Sequence, residues 1–188
     1  MQTTLEIGDG YGLTELRRGD VAAIVEYAGD RDIHDRTLRI PYPYTTTHAE
    51  QWLESIEHAT IQRGRVLVFA VREPAGKLIG SIGIEPAPTT EGQTAPATAE
   101  IGYWLAKPYW GRGIMPRAVT SICRYAFEVL NPATITAHVF VFNDASARVL
   151  EKCGFRDEGI LPDHGLKNDR LIDARRFVLD RPVAPGLG

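Results

Sequence analysis

The sequence predicts a single mixed α/β (α+β) domain. A chain of 188 residues can bury one sizeable hydrophobic core. Its apolar share of 44% and charged share of 24% are those of an ordinary globular protein. Strand-like and helix-like segments alternate along the chain, which favours a layered domain built from both. We assign residues 1–181 to this domain and expect the tail, residues 182–188, to be disordered.

The first predicted elements are a short strand and two helices. Leu13 and Leu16 mark the strand, and Asp20 is the expected N-cap of a helix through VAAIVEYA. A second helix is predicted over residues 32–38. The prolines of IPYPY, residues 40–44, end it, because the residue before a proline disfavours helical geometry.

A third helix leads into a β-hairpin. Thr47 followed by Glu50 is a capping-box pattern that opens the helix, and Gly64 ends it. Two apolar strands, RVLVFAVRE at 65–73 and KLIGSIGIE at 77–85, flank a turn of Pro, Ala and Gly. The sheet is therefore expected to begin with this hairpin.

The second half of the chain alternates strands and helices. Residues 86–98 are rich in Pro, Thr and Ala without periodicity, which predicts a loop. The elements predicted after it are a strand at 99–107, a helix from Ile114 to about Leu130, a strand at 133–142, a short helix at 144–153 ended by Gly154, and two strands, FRDEGIL and RLIDARRFVLD.

Charge and composition argue against several partners. The net charge is -3 and no basic block occurs, so a nucleic-acid partner is not expected. The N-terminus lacks the features of a secretion signal, and no stretch approaches the roughly 20 apolar residues of a membrane span. A cytoplasmic protein with no membrane partner is expected. Cys123 and Cys153 have neither disulfide-framework nor metal-site spacing, so we interpret them as buried thiols and expect no metal.

The stretch AKPYWGRGIMPRAV, residues 106–119, is the candidate for chemistry. Gly111-Arg112-Gly113 lies where a predicted helix begins, and the free N–H groups of a helix start can bind an anion. Glycines allow a phosphate to approach closely, and Arg112 can add a positive charge. Neither GxxxxGK[ST] nor a full GxGxxG is present, which argues against nucleoside triphosphates and dinucleotides. A pyrophosphate would suit the site, but a plain glycine turn explains these residues equally well.

Other stretches carry a family resemblance. IPYPYTTTHAEQWL (40–53), AEIGYWLAKPYWGRGIMPRAV (99–119), NDASARVLEKCGFRDEG (143–159) and KNDRLIDARRFVL (167–179) resemble the GNAT (Gcn5-related N-acetyltransferase) superfamily, closest to its RimJ/RimL-like ribosomal-protein branch. The resemblance covers nearly the whole chain. It implies the GNAT fold, a single domain with helices flanking a central mixed sheet. The sheet would be splayed open between the strand at 99–106 and the strand at 133–142, and acetyl-CoA would lie in that gap.

The resemblance also implies which residues bind acetyl-CoA. Tyr103, Trp104 and Leu105 correspond to the strand that pairs with the pantetheine arm, and a bulge there would leave the N–H of Trp104 or Leu105 free for the oxyanion. Asn143 corresponds to a pantetheine contact, and as an Asx turn it would also cap the next helix. The pyrophosphate loop corresponds to Trp110, Gly111, Arg112, Gly113, Ile114 and Met115, with Trp110 standing where the family usually has Gln or Arg.

Acetyl transfer also needs a base and an acid. An alkyl ammonium with a pKa of about 10.4 is rarely neutral at pH 7, so a base must take its proton. The resemblance makes Glu100 the candidate base, with a pKa that burial would raise; a strand-edge carboxylate in a salt bridge is the alternative. The tyrosine that protonates the thiolate in many members is Leu150 here. Ser146 inherits that role and a place beside the cofactor, against the alternative of an ordinary helix hydroxyl.

The acceptor side is less defined. IPYPY corresponds to an acceptor-lining segment, so Tyr42 and Tyr44 are candidate substrate contacts, and the loop at 86–98 is expected to border the acceptor mouth. His138 lies in a β-rich run, and we interpret it as a packed core or strand histidine rather than as a base. The resemblance implies an acetyl-CoA-dependent N-acetyltransferase acting on a primary amine, either a protein N-terminus or a small molecule, by direct attack in a ternary complex. The alternative is a catalytically weak CoA-binding sensor, and a homodimer is one open assembly state.

Overall fold

The structure is a computed structural model and describes residues 3–89 and 94–182. Within them the strands are β1 (Thr4–Gly8), β2 (Tyr11–Glu15), β3 (Val68–Arg72), β4 (Leu78–Pro86), β5 (Thr98–Leu105), β6 (Thr134–Phe140), β7 (Arg156–Lys167) and β8 (Arg170–Asp180). The helices are α1 (Val21–Ala28), α2 (Arg31–Arg36), α3 (Thr46–Arg63), α4 (Ile114–Val129) and α5 (Asp144–Lys152). The strands form one sheet in the order β1-β2-β3-β4-β5-β6-β8-β7, which confirms the predicted mixed α/β class.

The sheet opens between β5 and β6. These two strands run parallel, whereas the other neighbouring pairs are antiparallel. Of their described residues, only Thr98–Glu100 of β5 pair with Thr134–Thr136 of β6. On its other side β5 stays paired with β4 as far as Leu105. The splay expected from the family resemblance is therefore present.

Helices cover both faces of the sheet because side chains alternate along each strand. In β3, Phe69 and Val71 join the core under α4, while Ala70 between them joins the core under α1 and α3. Helix α4 contributes the apolar stripe predicted from its spacing, including Ile114 and Ile122, both almost fully buried. This packing holds the start of α4 against the open part of the sheet.

The N-terminal part differs from the prediction in one strand. Strand β1 was not predicted, and it pairs with β2 through a tight turn at Asp9 and Gly10. Both turn residues have positive φ angles, 53° and 75°, which is the geometry that an Asp-Gly dipeptide favours in a two-residue hairpin. That dipeptide was the overlooked indication of an additional strand.

Of the two predicted helix caps, that of α3 is wrong, whereas Asp20 is the N-cap residue of α1 as predicted. Thr45, and not Thr47, caps α3: its hydroxyl accepts from His48 N at 3.3 Å, and His48 Nδ1 accepts from Thr45 N at 3.1 Å. The Asp20 side chain makes no cap hydrogen bond to α1. Its carboxylate instead forms a buried salt bridge with Arg72 of β3 at 2.8 Å, because an unpaired buried guanidinium would be costly.

Parts of the expected loop at 86–98 and of the expected tail at 182–188 are not among the residues that the structure describes. Residues 90–93 and 183–188 are not described, and the described ends of the loop are Pro86 in β4 and Thr98 in β5. None of the described helices combines the length and apolar character that a membrane span requires.

Candidate active site

A single open cleft of about 2030 Å³ passes through the splayed part of the sheet. Its walls are the diverging strands β5 and β6, the first turn of α4 and the first turn of α5. The cleft continues on the other face of the sheet to the segment after α2 and to α3. It therefore joins the glycine-rich loop to the predicted acceptor side.

The backbone of β5 turns alternate residues toward β4 and toward the gap. Ala106 N donates to Ile79 O of β4 at 2.8 Å. The Trp104 carbonyl also points to β4, since a Cβ on Gly80 would lie 2.5 Å from its oxygen. The Trp104 backbone therefore faces away from the gap, although the residue lines the cleft. The register between β4 and β5 also runs without a break over these described residues, so the expected bulge is absent.

Tyr103 and Leu105, by the same alternation, present their backbone groups to the gap. No described residue of β6 pairs with them, because the β5–β6 ladder ends at Glu100 and Thr136. The Leu105 carbonyl accepts a 2.6 Å hydrogen bond from Trp110 Nε1. The amides of Tyr103 and Leu105 remain as donors on the edge of the cleft.

The glycine loop has the backbone that the sequence requires of it. Gly111 and Gly113 have φ angles of 75° and 71°, in the left-handed region that only glycine adopts without strain. A Cβ on either would meet open space, so a ligand can approach both closely. Gly113 is the N-cap of α4, a helix of 16 residues whose first N–H groups lack helical partners.

The side chains around this loop offer a bound anion fewer contacts than the sequence predicted. Arg112 does not line the cleft, and its guanidinium lies 5.2 Å from the ring centroid of Tyr109. Ile114 and Met115 are buried in the core, so only their backbone can face a ligand. Trp110 makes a side-chain hydrogen bond to the protein's own Leu105 carbonyl, which ties the loop to the end of β5. The groups that this loop offers to the cleft are therefore mainly backbone amides.

The first turn of α5 carries the predicted Asn143 and Ser146. Asn143 Oδ1 accepts from Ser146 N at 3.3 Å, so the helix-cap interpretation is confirmed. Ser146 Oγ lies 2.8 Å from the Tyr103 hydroxyl, and burial raises the pKa of that tyrosine well above its ordinary value. Leu150 is fully buried, so the position of the usual tyrosine acid belongs to the core.

Glu100 differs from its predicted electrostatics. Its side chain is half exposed, and Oε1 lies 3.3 Å from His138 Nδ1. The nearby His138 imidazole holds the pKa of Glu100 below its usual value and outweighs the effect of burial, while the charges of Arg39 and His164 act in the same direction. The predicted rise in pKa is wrong. Among the described residues, no group of His, Cys, Asp and Glu side chains is arranged to hold a metal ion.

Comparison with known proteins identifies the family. Residues 12–156 match the family described as "Acetyltransferase (GNAT) domain". The chain belongs to the GNAT acetyltransferases. It is 26% identical over 167 residues to the spermidine N(1)-acetyltransferase of Vibrio cholerae, covering 89% of this chain and 91% of that protein. Its relatives include proteins that are named N-acetyltransferases, and the chain is an acyltransferase of the GNAT type.

Two solved structures show the same fold. The ribosomal-protein-S5-alanine acetyltransferase of Vibrio fischeri superposes with a TM-score of 0.79 at 21% identity, covering 95% of this chain and 96% of that chain. RimJ of Mycobacterium smegmatis, in complex with CoA-disulfide, superposes with a TM-score of 0.78 at 24% identity, covering 95% and 86%. Both superpositions show that the chain has the GNAT fold.

The two candidate acceptor tyrosines of this acetyltransferase separate in the structure. Tyr44 is half buried and lines the cleft, and burial raises its pKa. Tyr42 lies outside the cleft lining, 50% exposed, with its ring 5.6 Å from that of His34 and 5.0 Å from the Arg31 guanidinium. The structure therefore does not bring Tyr42 to the site.

His138, interpreted from the sequence as a packed histidine, lies on the wall of the cleft. His138 is mostly buried, but it lines the cleft, contacts Glu100 and stacks on His164 with 4.3 Å between ring centroids. Thr136 and His138 are two residues apart in a predicted strand, so the sequence places their side chains on the same face of the sheet. Only the pairing of Glu100 with Thr136 shows that Glu100 shares this face.

Proposed function

We propose that this protein transfers an acetyl group from acetyl-CoA to a primary amine by direct attack in a ternary complex. The observation that carries the proposal is the unpaired edge of β5. Tyr103 and Leu105 turn their amides into the gap that β6 leaves, in the same cleft as the glycine start of α4. An extended, amide-containing arm can hydrogen-bond to such an edge as an added strand does.

The proposed binding mode uses three parts of the cleft. The pantetheine arm lies along Tyr103 and Leu105, and the pyrophosphate lies against the amides of Gly111 to Gly113 and the start of α4. Asn143, at the start of α5, lies beside the thioester. The structure of Mycobacterium smegmatis RimJ, a complex with CoA-disulfide, has the same fold and supports this assignment.

In the proposed reaction the amine nitrogen attacks the acetyl carbonyl and the C–S bond breaks. Of the two gap-facing amides, Tyr103 and Leu105, one is the donor for the oxyanion and the other pairs with the pantetheine arm. Ser146 gives its proton to the leaving thiolate, the Tyr103 hydroxyl 2.8 Å away holds Ser146 Oγ in place by a hydrogen bond, and water in the open cleft returns the proton to Ser146 before the next turnover. Glu100 places a negative charge at the acceptor end of the cleft, where an ammonium is attracted before it loses its proton.

The acceptor is proposed at the level of chemical class. One relative is named a spermidine N(1)-acetyltransferase, and one structural neighbour is named a ribosomal-protein-S5-alanine acetyltransferase. The acceptor end of this cleft is lined by Tyr44, Trp52, Arg39 and Glu100, a mixture that suits an amine flanked by apolar groups. Small-molecule amines and free protein N-termini are the two kinds to test.

The proposal is tested by measuring thiol release from acetyl-CoA. The assay offers spermidine, simple alkyl amines and peptides with free N-termini, while calorimetry measures CoA binding separately. Acceptor-dependent thiol release is expected with at least one class. CoA binding without turnover on any acceptor would favour the sensor function, to which the buried Leu150 at the usual acid position points. Absence of CoA binding would contradict both functions.

A further inference from the structure

Glu100, His138 and His164, which we call the Glu–His–His cluster, lie together on the wall of the cleft. The His138 side chain is 17% exposed, and its Nδ1 is sealed from solvent 3.3 Å from Glu100 Oε1. Among the described residues, Nδ1 makes no hydrogen bond, so the Glu100 carboxylate is a 3.3 Å neighbour of this nitrogen and not yet a bonded partner. A sealed ring nitrogen that faces one carboxylate calls for an explanation beyond packing.

The topology brings this cluster together at the point where the sheet opens. Glu100 and Thr136 are the last pair of the parallel ladder, so His138, two residues later, faces the same side just beyond it. On β7 the register slips: four steps from Leu161 to Gly165 oppose two steps on β8. Such bulges re-aim side chains, and this one places the His164 ring on that of His138 at 4.3 Å.

The charges in the cluster favour one arrangement of protons. The lowered pKa of Glu100 keeps it ionised at neutral pH and makes it a weak base. An ionised carboxylate beside His138 Nδ1 favours the tautomer in which Nδ1 carries the proton and Nε2 keeps a lone pair. Nε2 makes no hydrogen bond with any described residue, and the ring faces the cleft.

The remaining charged neighbours do not oppose this arrangement. Burial and the neighbouring His138 lower the pKa of His164, so the stacked ring stays neutral at pH 7. Arg39 lies near Glu100 and helps to keep it ionised. Arg176 of β8 sits opposite His138 in the ladder, but Glu158 pairs with it at 2.6 Å.

We propose that His138 is the general base of the acetyl transfer and that Glu100 is a positioning residue that holds its Nδ1–H. The inference rests on the proposed function. As the amine nitrogen forms its bond to the acetyl carbon, its proton passes to His138 Nε2. The C–S bond breaks, and the thiolate takes its proton from Ser146. His164 holds the His138 ring in place by stacking.

The first test compares pH profiles of variants with the best acceptor found above. His138→Gln is expected to lower kcat about 100-fold and to remove the acidic limb that the base produces in kcat/KM. Glu100→Gln is expected to keep that limb, because His138 is still present, and to lower kcat, because the ring loses the carboxylate that positions it. His164→Phe keeps the stack and most of the activity. His58→Gln, on the exposed face of α3, is the matched control and should behave as wild type.

The opposite pattern would overturn the inference. If Glu100→Gln removed the limb and His138→Gln retained it, Glu100 would itself be the base. If both variants matched the His58→Gln control, the Glu–His–His cluster would be structural. A wild type that releases no thiol contradicts the proposed function, whereas an active wild type with an unaffected His138→Gln contradicts this inference alone.

The second test reads the tautomer without any turnover. In ¹⁵N-labelled protein, long-range ¹H–¹⁵N NMR spectra distinguish Nδ1–H from Nε2–H, and the His138→Gln spectrum assigns the ring. Nδ1–H is expected at neutral pH in wild type, with the preference lost in Glu100→Gln. An Nε2–H tautomer in wild type would overturn the assignment of Nε2 as proton acceptor.

Discussion

The hydroxyls of Ser146 and Tyr103 lie 2.8 Å apart, and the raised pKa of Tyr103 means that it keeps its proton at neutral pH. Ser146→Ala is therefore expected to lower kcat about 100-fold and to leave the KM for acetyl-CoA nearly unchanged, because the thiolate is protonated after binding. Steady-state kinetics at saturating acceptor measure this split. Ser121→Ala, which removes a buried α4 hydroxyl outside the cleft lining, is the control. Wild-type kcat in Ser146→Ala would contradict the acid role.

Individual residues of the site could be predicted from sequence where local geometry decides them. Gly113 is such a residue. It is the N-cap of α4 with a φ angle of 71°, a conformation that favours glycine whatever the position of the preceding strand. Trp104 and His138 are residues that local geometry does not decide. Whether the Trp104 backbone faces the gap depends on the phase of pairing with β4, and the contact of His138 with Glu100 depends on pairing with β6. Neither the β4–β5 register nor the β5–β6 register can be predicted from a local sequence pattern.

At the scale of elements, the start of α4 binds the pyrophosphate in our proposal through backbone amides alone. Gly113→Val forces a branched residue into the left-handed region, at a cost of about 1–3 kcal/mol, and shifts those amides. We expect CoA affinity to fall at least tenfold by calorimetry, with a smaller loss for acetyl-pantetheine, which has no pyrophosphate. Gly64→Val places the same strain at φ 62° at the end of α3 and should lower Tm similarly while CoA affinity stays intact. Equal losses in both variants would contradict the loop assignment.

Elements were predictable where one strong pattern covers them. The apolar stripe of α4 and the hairpin of β3 and β4 were both confirmed, because many residues contribute to each pattern. Strand β1 escaped because five residues with one strongly buried side chain, Ile7, give almost no periodicity. The cap of α3 was misplaced by two residues because three consecutive threonines offer equivalent hydroxyls, and only the geometry after Pro43 selects Thr45.

At the scale of the whole molecule, the splay divides the sheet into two parts joined along three residue pairs. Composition and periodicity predicted strands and helices but not where a parallel ladder stops. That feature was expected only because the motifs resembled a family that has it. Its physical basis is tertiary: α4 and α5 pack against each other across the opening, and the Trp110 bond to Leu105 holds the free end of β5.

The splay also predicts how the whole domain responds to CoA. A ligand that binds only the folded state at 100 times its Kd adds about 2.7 kcal/mol of stability, which corresponds to a Tm increase of about 5–10 °C for a chain of this length. Hydrogen exchange should localise the effect. The amides of Tyr103 and Leu105 face the gap and should exchange quickly until CoA is added, whereas that of Trp104 is already bonded to β4 and should be slow throughout. Amide-resolved exchange with and without CoA measures this, with Ala106, bonded to Ile79, as the internal control. If CoA raised Tm but left the exchange of Tyr103 and Leu105 unchanged, the ligand would bind elsewhere than along β5.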